Sequence, residues 1–294
     1  MTPIVFPGLG IEVTIDPVAF TIFGKGIYWY GIIIACGFLL ALAVGLRQGP
    51  KLGVKQDDIL DMLFFAVPIS LVGARTYYVL FYQELYRDAD GVFQWDKAIA
   101  IWDGGIAIYG AIIAAVLTAA VFCKVRKINF WVMADTASYG LLIGQLVGRW
   151  GNFVNQEAYG GPCTAFWRMG LTRAGEYIEV HPTFLYESLW NLAGLAILYF
   201  IIRPRRKFDG QLFLTYFLWY GLGRVWIEGL RTDSLYFFQT GIRVSQALAG
   251  IFAVTALAMI LVRLRRQGKS PKPLYIEELA AKQAEEAQQK QEKE

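Results

Sequence analysis

The sequence has few charged residues, little net charge and few cysteines. Asp, Glu, Lys and Arg make up 18% of its 294 residues, against about 25% in soluble domains. Because 56% of the residues are hydrophobic, this composition argues against a soluble globular protein and for a membrane protein. Three cysteines, Cys36, Cys123 and Cys163, argue against a disulfide framework. The net charge of +4 gives no indication of nucleic-acid binding.

Long apolar blocks dominate the sequence instead. A helix needs roughly 20 consecutive apolar residues to cross a bilayer, and seven blocks approach or reach that length. We therefore predict an all-α polytopic membrane protein. Its transmembrane helices are expected near residues 27–46, 59–82, 102–123, 129–148, 183–202, 210–229 and 243–264.

Positive charges predict the orientation of these helices. Lys and Arg collect after the first, third, fifth and seventh blocks, including the runs RPRRK at 203–207 and RLRRQGKSPK at 263–272. Since cytoplasmic loops carry the excess of Lys and Arg, we expect the N-terminus outside and the C-terminus inside.

The predicted spans divide the chain into three regions. Residues 1–26 are expected to form an external N-terminal arm lying on the membrane. Residues 27–264 are expected to form the seven-helix transmembrane domain, with a small external cap at the loop near 150–182. Residues 265–294 form a polar cytoplasmic tail, which is helix-prone from about Leu274.

Polar residues that are costly in a membrane share one predicted depth. A charged side chain at the bilayer centre costs at least about 2.5 kcal/mol, so several at one level indicate a common purpose. We expect them to line a polar cavity in the outer half of the membrane, open to the external side. They are Tyr30, Arg75, Asp103, Tyr109, Arg149, Asn152, Asn155, Glu157, His181, Tyr186, Glu187, Arg224, Glu228, Arg243 and Gln246.

Helical spacing places several of these residues on common faces. Tyr220, Arg224 and Glu228 follow one another at intervals of four, so Glu228 is expected to hold the guanidinium of Arg224. Arg149 and Asn152 are three residues apart and share a face. A planar guanidinium matches phosphate oxygens in two-point geometry, and at this depth the phosphate available is that of a phospholipid headgroup.

Each residue also has a purely structural interpretation. Arg75 can extend to the headgroups, and Arg224 with Glu228 can form a structural ion pair. Tyr30 fits an interfacial aromatic belt, while His181 can make a structural hydrogen bond. These interpretations explain the residues singly, but they do not explain their common depth.

The segment GRWGNFVNQEAYGG, residues 148–161, resembles the signature G-R-x-G-N-F-x-N-x-E-x-x-G of the phosphatidylglycerol–prolipoprotein diacylglyceryl transferases. Further segments resemble that family in the same order, so that the resemblance covers roughly residues 27–250. These segments are WYGIIIACGFL, GARTYYVLF, IWDGGIAIYGA, HPTFLYES, YGLGRVWIEGLR and RVSQ.

The resemblance implies seven spans, an external N-terminus and neither metal nor cofactor. It implies transfer of the diacylglyceryl group of phosphatidylglycerol to the lipobox cysteine thiol of a bacterial prolipoprotein, with release of glycerol phosphate. This is the first step of lipoprotein maturation at the inner membrane. Matched residue by residue, the implied functional positions are Tyr30, Arg149, Asn152, Glu157, Gly160, Arg224 and Glu228.

One position departs from the family pattern. Many relatives have His-Gly-Gly where this chain has Tyr109, Gly110 and Ala111, and that histidine has been proposed as the base. A phenol with an unperturbed pKa near 10 is a poor base at neutral pH, although it is a good hydrogen-bond donor.

We predict that arginines assist formation of the thiolate of the lipobox cysteine, since nearby cations lower a thiol pKa. The arginines are then expected to bind the phosphate of the lipid. Glu157 is expected to brace the loop at 150–182, and Tyr109 and His181 to handle protons. The catalytic candidates are Arg149, Arg224, Glu228, Tyr109 and His181. The substrate-binding candidates are Tyr30, Arg75, Asn152, Asn155, Glu157, Gly160 and Tyr220.

The alternative is a transporter or flippase of an anionic phospholipid. Such a protein would share the arginines, but it would need polar residues at both depths and would usually have an internal repeat. The sequence shows neither feature.

Overall fold

A computed structural model describes residues 3–232 and 243–292, and it is mostly helical. The first two residues of the predicted arm, residues 233–242 of the predicted membrane domain and the last two residues of the tail lie outside the described residues. The helices are α1 (Trp29–Gln48), α2 (Gln56–Phe81), α3 (Trp95–Ile99), α4 (Ile108–Arg126), α5 (Phe130–Val154), α6 (Thr183–Ala196), α7 (Gln211–Leu230), α8 (Val244–Lys269) and α9 (Tyr275–Gln291). The strands are β1 (Ile4–Phe6), β2 (Ile11–Val13), β3 (Val18–Ile22), β4 (Lys25–Tyr28), β5 (Met169–Arg173) and β6 (Glu176–Val180).

A helix overlaps each of the seven predicted apolar blocks. By length and composition, five of the described helices can cross a membrane: α1, α2, α4, α6 with its continuation to Arg205, and α8. Helices α5 and α7 have 25 and 20 residues, but they are less apolar because they carry the charged residues described below. The chain is therefore a multi-pass membrane protein.

Two helix ends differ from the predicted bounds. The third long helix begins at Ile108 rather than near 102, because Gly104 and Gly105 adopt φ of 83° and 69°, which a right-handed helix does not accommodate. Helix α5 continues to Val154 rather than ending near 148. Arg149 therefore lies inside this helix.

The helices belong to two compact units. The first comprises Met1–Gly45 with Ala134–Glu294, and in it α7 packs against α6 and α8. Asp135 in α5 accepts hydrogen bonds of 2.8 Å from the backbone N–H groups of Gly210 and Phe213. This buried carboxylate satisfies donors at the start of α7 that a helix leaves unpaired.

The second unit comprises Leu46–Met133 and is built on α2 packed against α4. The two helices run antiparallel, since Asp61 forms an ion pair with Arg126 at one end while Tyr77 meets Tyr109 near the other.

Strands of the predicted cap loop and of the N-terminal arm form an antiparallel sheet in the order β2-β1-β5-β6, and β3 pairs with β4 in a separate two-stranded sheet. The β5–β6 hairpin turns at Ala174 and Gly175, whose φ angles of 50° and 87° suit a tight two-residue turn. Ile4 of β1 and Leu171 of β5 are buried together with Phe184 of α6. This apolar cluster fixes the sheet to the helical part of the first unit.

The predicted tail contains the end of α8 and the helix α9. Asp209 receives a hydrogen bond of 3.1 Å from the backbone N–H of Tyr275, so the first turn of α9 contacts the segment before α7. Arg263 of α8 also donates to the carbonyl oxygen of Asp209, at 2.9 Å. The start of the tail is therefore attached to the helical part of the first unit.

Candidate active site

Two arginines and two glutamates from three helices form a chain of alternating charges in the first unit. The carboxylate of Glu187 in α6 lies between Arg149 of α5 and Arg224 of α7. Its Oε1 is 2.8 Å from Nη1 of Arg224, and its Oε2 pairs with Nε of Arg149. Glu228 pairs with Nη2 of Arg224, as the interval of four residues predicted. We call these four residues the arginine–glutamate centre.

The centre is buried unevenly. The side chains of Glu187 and Glu228 are 4% and 3% exposed, whereas those of Arg149 and Arg224 are 20% and 14% exposed. Burying an unpaired charge costs several kcal/mol, so the two carboxylates compensate the arginines from the inside. The arginines therefore present the accessible side of the centre.

Hydrogen-bond donors remain on this accessible side. Arg149 uses Nε for Glu187 and Nη1 for the side-chain oxygen of Asn152, which is 3.3 Å away. A guanidinium has five N–H groups. Within residues 3–232 and 243–292, Nη2 of Arg149 forms no hydrogen bond or ion pair. An anion that enters the centre can accept from this group.

Asn152 connects the centre to the cap. Its side-chain amide donates to Oε1 of Glu157 at 2.8 Å, and the backbone N–H of Glu157 donates to the carbonyl oxygen of Asn152 at 3.0 Å. Glu157 thus contacts the start of the loop at 150–182, and its bracing role stays a prediction.

Two glycines of the signature allow close approaches around the centre. A Cβ at Gly151 would lie 2.7 Å from the ring of Tyr30, so this ring packs directly on the backbone of α5. A Cβ at Gly160 would lie 2.7 Å from Cβ of His181 and 3.0 Å from the carbonyl oxygen of Leu230. Any larger residue at either position would push these elements apart.

His181 lies in a network of side-chain hydrogen bonds. Its Nδ1 is 3.1 Å from the hydroxyl oxygen of Tyr186, which accepts a bond of 2.7 Å from Nε1 of Trp167. With its oxygen accepting from Trp167, the Tyr186 hydroxyl can donate to Nδ1 of a neutral imidazole. This geometry is the structural hydrogen bond that the sequence left open, and proton transfer by His181 stays a prediction.

Two other candidates have simpler surroundings. Asn155 directly follows α5, and its backbone N–H donates to the carbonyl oxygen of Gly151 at 3.0 Å. Tyr220 lies one turn before Arg224, where both residues and Glu187 border the same narrow void. Tyr220 is thus adjacent to the centre, whereas the structure gives Asn155 a position at its edge.

Arg75 lies in the second unit and is buried. It donates to the backbone carbonyl oxygens of Ala98 at 2.8 Å, Lys97 at 2.6 Å and Gly105 at 2.8 Å, and also to that of Gly104. The interpretation that Arg75 extends to the headgroups is wrong, because its donors hold the segment before α4. Its assignment to substrate binding stays a prediction.

Tyr109 lies in the first turn of α4, also in the second unit. Its ring centroid is 6.5 Å from that of Tyr77, and the residue is 44% exposed. The proposed proton handling by Tyr109 stays a prediction.

Glu187 is the residue that the sequence reasoning missed as a site candidate. It was recognised as one of the polar residues at a common depth, but only pairs within one helix were assigned. A signal was available, because Glu187 is the only charged residue in the predicted span 183–202. An acidic residue in such a span requires a partner from another helix.

The end of α7 is held by α8 as well. Arg243 donates to the carbonyl oxygen of Glu228, and Nε2 of Gln246 donates to the carbonyl oxygen of Val225 at 2.7 Å.

In the part of the chain that the structure describes, no group of His, Cys, Asp and Glu could hold a metal ion. The exposed donors of the centre belong to arginine side chains, from which an anion can accept hydrogen bonds.

Comparison with known proteins gives the family. A model of the family described as prolipoprotein diacylglyceryl transferase matches residues 17–262. A protein from Listeria innocua named phosphatidylglycerol–prolipoprotein diacylglyceryl transferase is 42% identical over 94% of this chain and 99% of its own length. Relatives of the same name from Bacillus velezensis and Oceanobacillus iheyensis are 42% and 45% identical, over 88% and 85% of this chain and 95% and 88% of their own lengths. The chain belongs to the prolipoprotein diacylglyceryl transferase family.

Proposed function

We propose that this protein transfers the diacylglyceryl group of phosphatidylglycerol to the lipobox cysteine thiol of prolipoproteins. The products are a thioether-linked lipid and glycerol phosphate, and the reaction begins lipoprotein maturation. The family supports the reaction, and the arginine–glutamate centre is the observation that supports its location. Two arginines with accessible donors, compensated from within by carboxylates, suit a phosphate that must be bound and then released.

We further propose that seven helices, α1, α2 and α4 to α8, span the bacterial inner membrane, with the N-terminus outside. Helices α5 and α7 lack the apolarity of an isolated span, but the other helices can cover their charged ends. The positive loops after α1, α4, α6 and α8 support this orientation. The centre then lies in the outer leaflet below the cap, and α9 belongs to a cytoplasmic tail.

In this reaction the arginines bind the phosphate. The Nη2 group of Arg149 and the accessible face of Arg224 donate to phosphate oxygens. Glu187 sets the separation of the two guanidinium groups because it contacts both, and Glu228 holds Arg224 from the other side. Because these donors are positioned before the substrate arrives, they stabilise charge without reorganisation.

The reacting group is the thiolate of the incoming cysteine. A thiol has a pKa near 8.5 that falls beside cations, so the arginines favour its ionisation. The sulfur attacks the glycerol carbon that carries the phosphate ester, and a carbon–sulfur bond forms as the carbon–oxygen bond breaks. The bonding electrons leave with the phosphate oxygen, where the arginines stabilise the growing charge. The thiol proton leaves through Tyr109, His181 or water.

The remaining candidates position the substrates. Those in the first unit have polar groups near the arginine–glutamate centre, and Gly160 provides close packing there. Arg75 belongs to the second unit, where its donors bind backbone carbonyl oxygens. The assigned residues are Tyr30, Arg75, Asn152, Asn155, Glu157, Gly160 and Tyr220.

The proposal is tested with purified protein, phosphatidylglycerol and a lipobox peptide, by peptide mass and release of glycerol phosphate. We expect the peptide to gain one diacylglyceryl group, and a peptide with serine for cysteine to gain none. Arg149→Ala and Arg224→Ala should each lower turnover by at least about 10²-fold, the effect of losing a preorganised donor to developing charge.

Arg168→Ala is the matched control, because Arg168 forms its ion pair with Glu179 in the partly exposed cap. We expect turnover near that of the wild type. Wild-type turnover in either folded arginine variant of the centre would refute the phosphate assignment. Absence of peptide modification, with lipid moving between leaflets instead, would favour the transporter.

A further inference from the structure

A groove of about 560 Å³ runs along the contact between α7 and α8 in the first unit. Val225 forms one wall, and Ile251 and Val254 form the other. Two small residues, Ala247 and Gly250, also line it. The groove is therefore mostly apolar, and a larger side chain at either small residue would reduce its volume.

One end of the groove adjoins the arginine–glutamate centre. Val225 directly follows Arg224, and Gln246 at this end donates to the carbonyl oxygen of Val225 at 2.7 Å. Arg243, one turn before Gln246, contacts the backbone of Glu228. A molecule that binds its phosphate at Arg224 can thus place an attached chain in the groove.

The length of the groove matches one leaflet. Its lining residues on α8 extend from Gln246 to Thr255, which is about 14 Å at 1.5 Å per residue. Half of a hydrocarbon core of about 30 Å is about 15 Å. An extended hydrocarbon chain of about this length can therefore lie along the groove.

We propose that this groove binds one acyl chain of the phospholipid substrate, with the glycerol end near Gln246 and the methyl end near Thr255. This inference rests on the proposed function and adds to it the position of the lipid tail. The small residue at position 250 is then required by the ligand rather than by packing. A Cβ at Gly250 would meet only Cγ2 of Val225, at the ordinary distance of 3.8 Å.

The test compares chain lengths in variants with a larger side chain at either small residue. Gly250→Leu and Ala247→Leu are assayed with dipalmitoyl and with dihexanoyl phosphatidylglycerol. We expect kcat/KM for the long-chain lipid to fall by about 15- to 60-fold, since displacing about two to three methylene groups forfeits that much. The short-chain lipid should change by less than about twofold, because its tails contact little of the groove.

Ala43→Leu is the matched control, since Ala43 is an exposed alanine of α1 that does not line the groove. It should leave both lipids unchanged. Equal losses for long and short lipids in the groove variants would overturn the proposal. A rise in the KM of the peptide alone would assign the groove to the signal peptide and would also overturn it.

A second measurement does not depend on turnover. Phosphatidylglycerol with a diazirine at the end of one acyl chain should label the region of Thr255, and Gly250→Leu should lower this labelling severalfold. Labelling elsewhere only would refute the groove as the site of the chain. If the wild type labels here but modifies no peptide with any lipid, the proposed reaction fails while the lipid site stands.

Discussion

The two units of this protein use buried arginines in different ways. In the second unit, Arg75 donates to backbone carbonyl oxygens of Lys97, Ala98 and two glycines. In the first unit, Arg149 and Arg224 contact carboxylate side chains and keep donors on their accessible side. The same residue type therefore has its donors committed in one unit and available in the other.

The partner type explains the difference. Backbone carbonyls carry no formal charge, so the positive charge of Arg75 is solvated by dipoles that also define the local fold. In the first unit, the carboxylates of Glu187 and Glu228 compensate the positive charges of the two arginines, so these ion pairs do not use backbone carbonyl groups. A carboxylate can also adjust as an anionic ligand enters, whereas four carbonyls of a folded segment cannot. From this comparison we expect an architectural role for Arg75, in contrast to its predicted substrate binding, and we propose ligand binding for Arg149 and Arg224.

The largest expected effect follows from removing the charge shared by that pair. Glu187→Gln preserves shape but leaves two guanidinium groups facing each other across a neutral amide. We expect a loss of stability of about 3 kcal/mol or more, since breaking a buried ion pair costs 3–5 kcal/mol. Turnover should fall by about 10²-fold, because the donors lose their positions. Thermal unfolding in detergent and the peptide assay measure the two effects.

Glu179→Gln provides the control, because Glu179 pairs with Arg168 in the partly exposed cap. Exposed ion pairs contribute about 0–1 kcal/mol, so this variant should resemble the wild type. If Glu187→Gln and Glu179→Gln behave alike, Glu187 does not organise the two arginines.

The second largest effect is expected at Arg75. Arg75→Ala leaves buried carbonyl groups unpaired, and we expect a loss of stability on the order of 3 kcal/mol. Trypsin should then cleave after Lys97, within the released segment. Turnover of the remaining folded protein should stay within about tenfold of the wild type, about 1.4 kcal/mol, because the donors of Arg75 bind backbone carbonyl oxygens rather than substrate.

Arg126→Ala is its control within the same unit, since Arg126 and Asp61 form an exposed ion pair with side chains 49% and 43% accessible. No new cleavage after Lys97 is expected there. A different outcome would establish substrate binding by Arg75 and remove the contrast between the units. In that outcome, Arg75→Ala lowers turnover as strongly as Arg224→Ala does, and trypsin produces no new cleavage.

Much of the helical architecture was predictable from the sequence. A long apolar block must satisfy its backbone internally, and a helix does so without partners. The seven long helices therefore follow the predicted blocks, and errors occur at their ends, as at Gly104. The cap sheet was not predictable, because Val5 of β1 pairs with Gly170 of β5 and short strands carry little local signal.

The contacts of the site were predictable only where both residues lie in one helix. Glu228 and Arg224 share one helix, so spacing alone predicts their ion pair. The contacts of Glu187 join three helices, and those of Arg75 go to backbone atoms that carry no sequence signal. Contacts within an element can be inferred from intervals, whereas contacts between elements depend on packing that a single sequence does not specify.

The smallest expected effect is at Tyr109 and tests whether the second unit takes part in the chemistry. Tyr109→Phe removes only the hydroxyl group, and a neutral hydrogen bond contributes about 0.5–1.5 kcal/mol. We therefore expect turnover to fall by no more than about tenfold, with an unchanged pH–rate profile. Tyr77→Phe controls for the neighbouring ring. A loss of about 10²-fold or more, together with the disappearance of one limb of the profile, would show general acid–base catalysis by Tyr109. Arginine-assisted ionisation of the thiol would then be insufficient, and the division of roles between the units would fail.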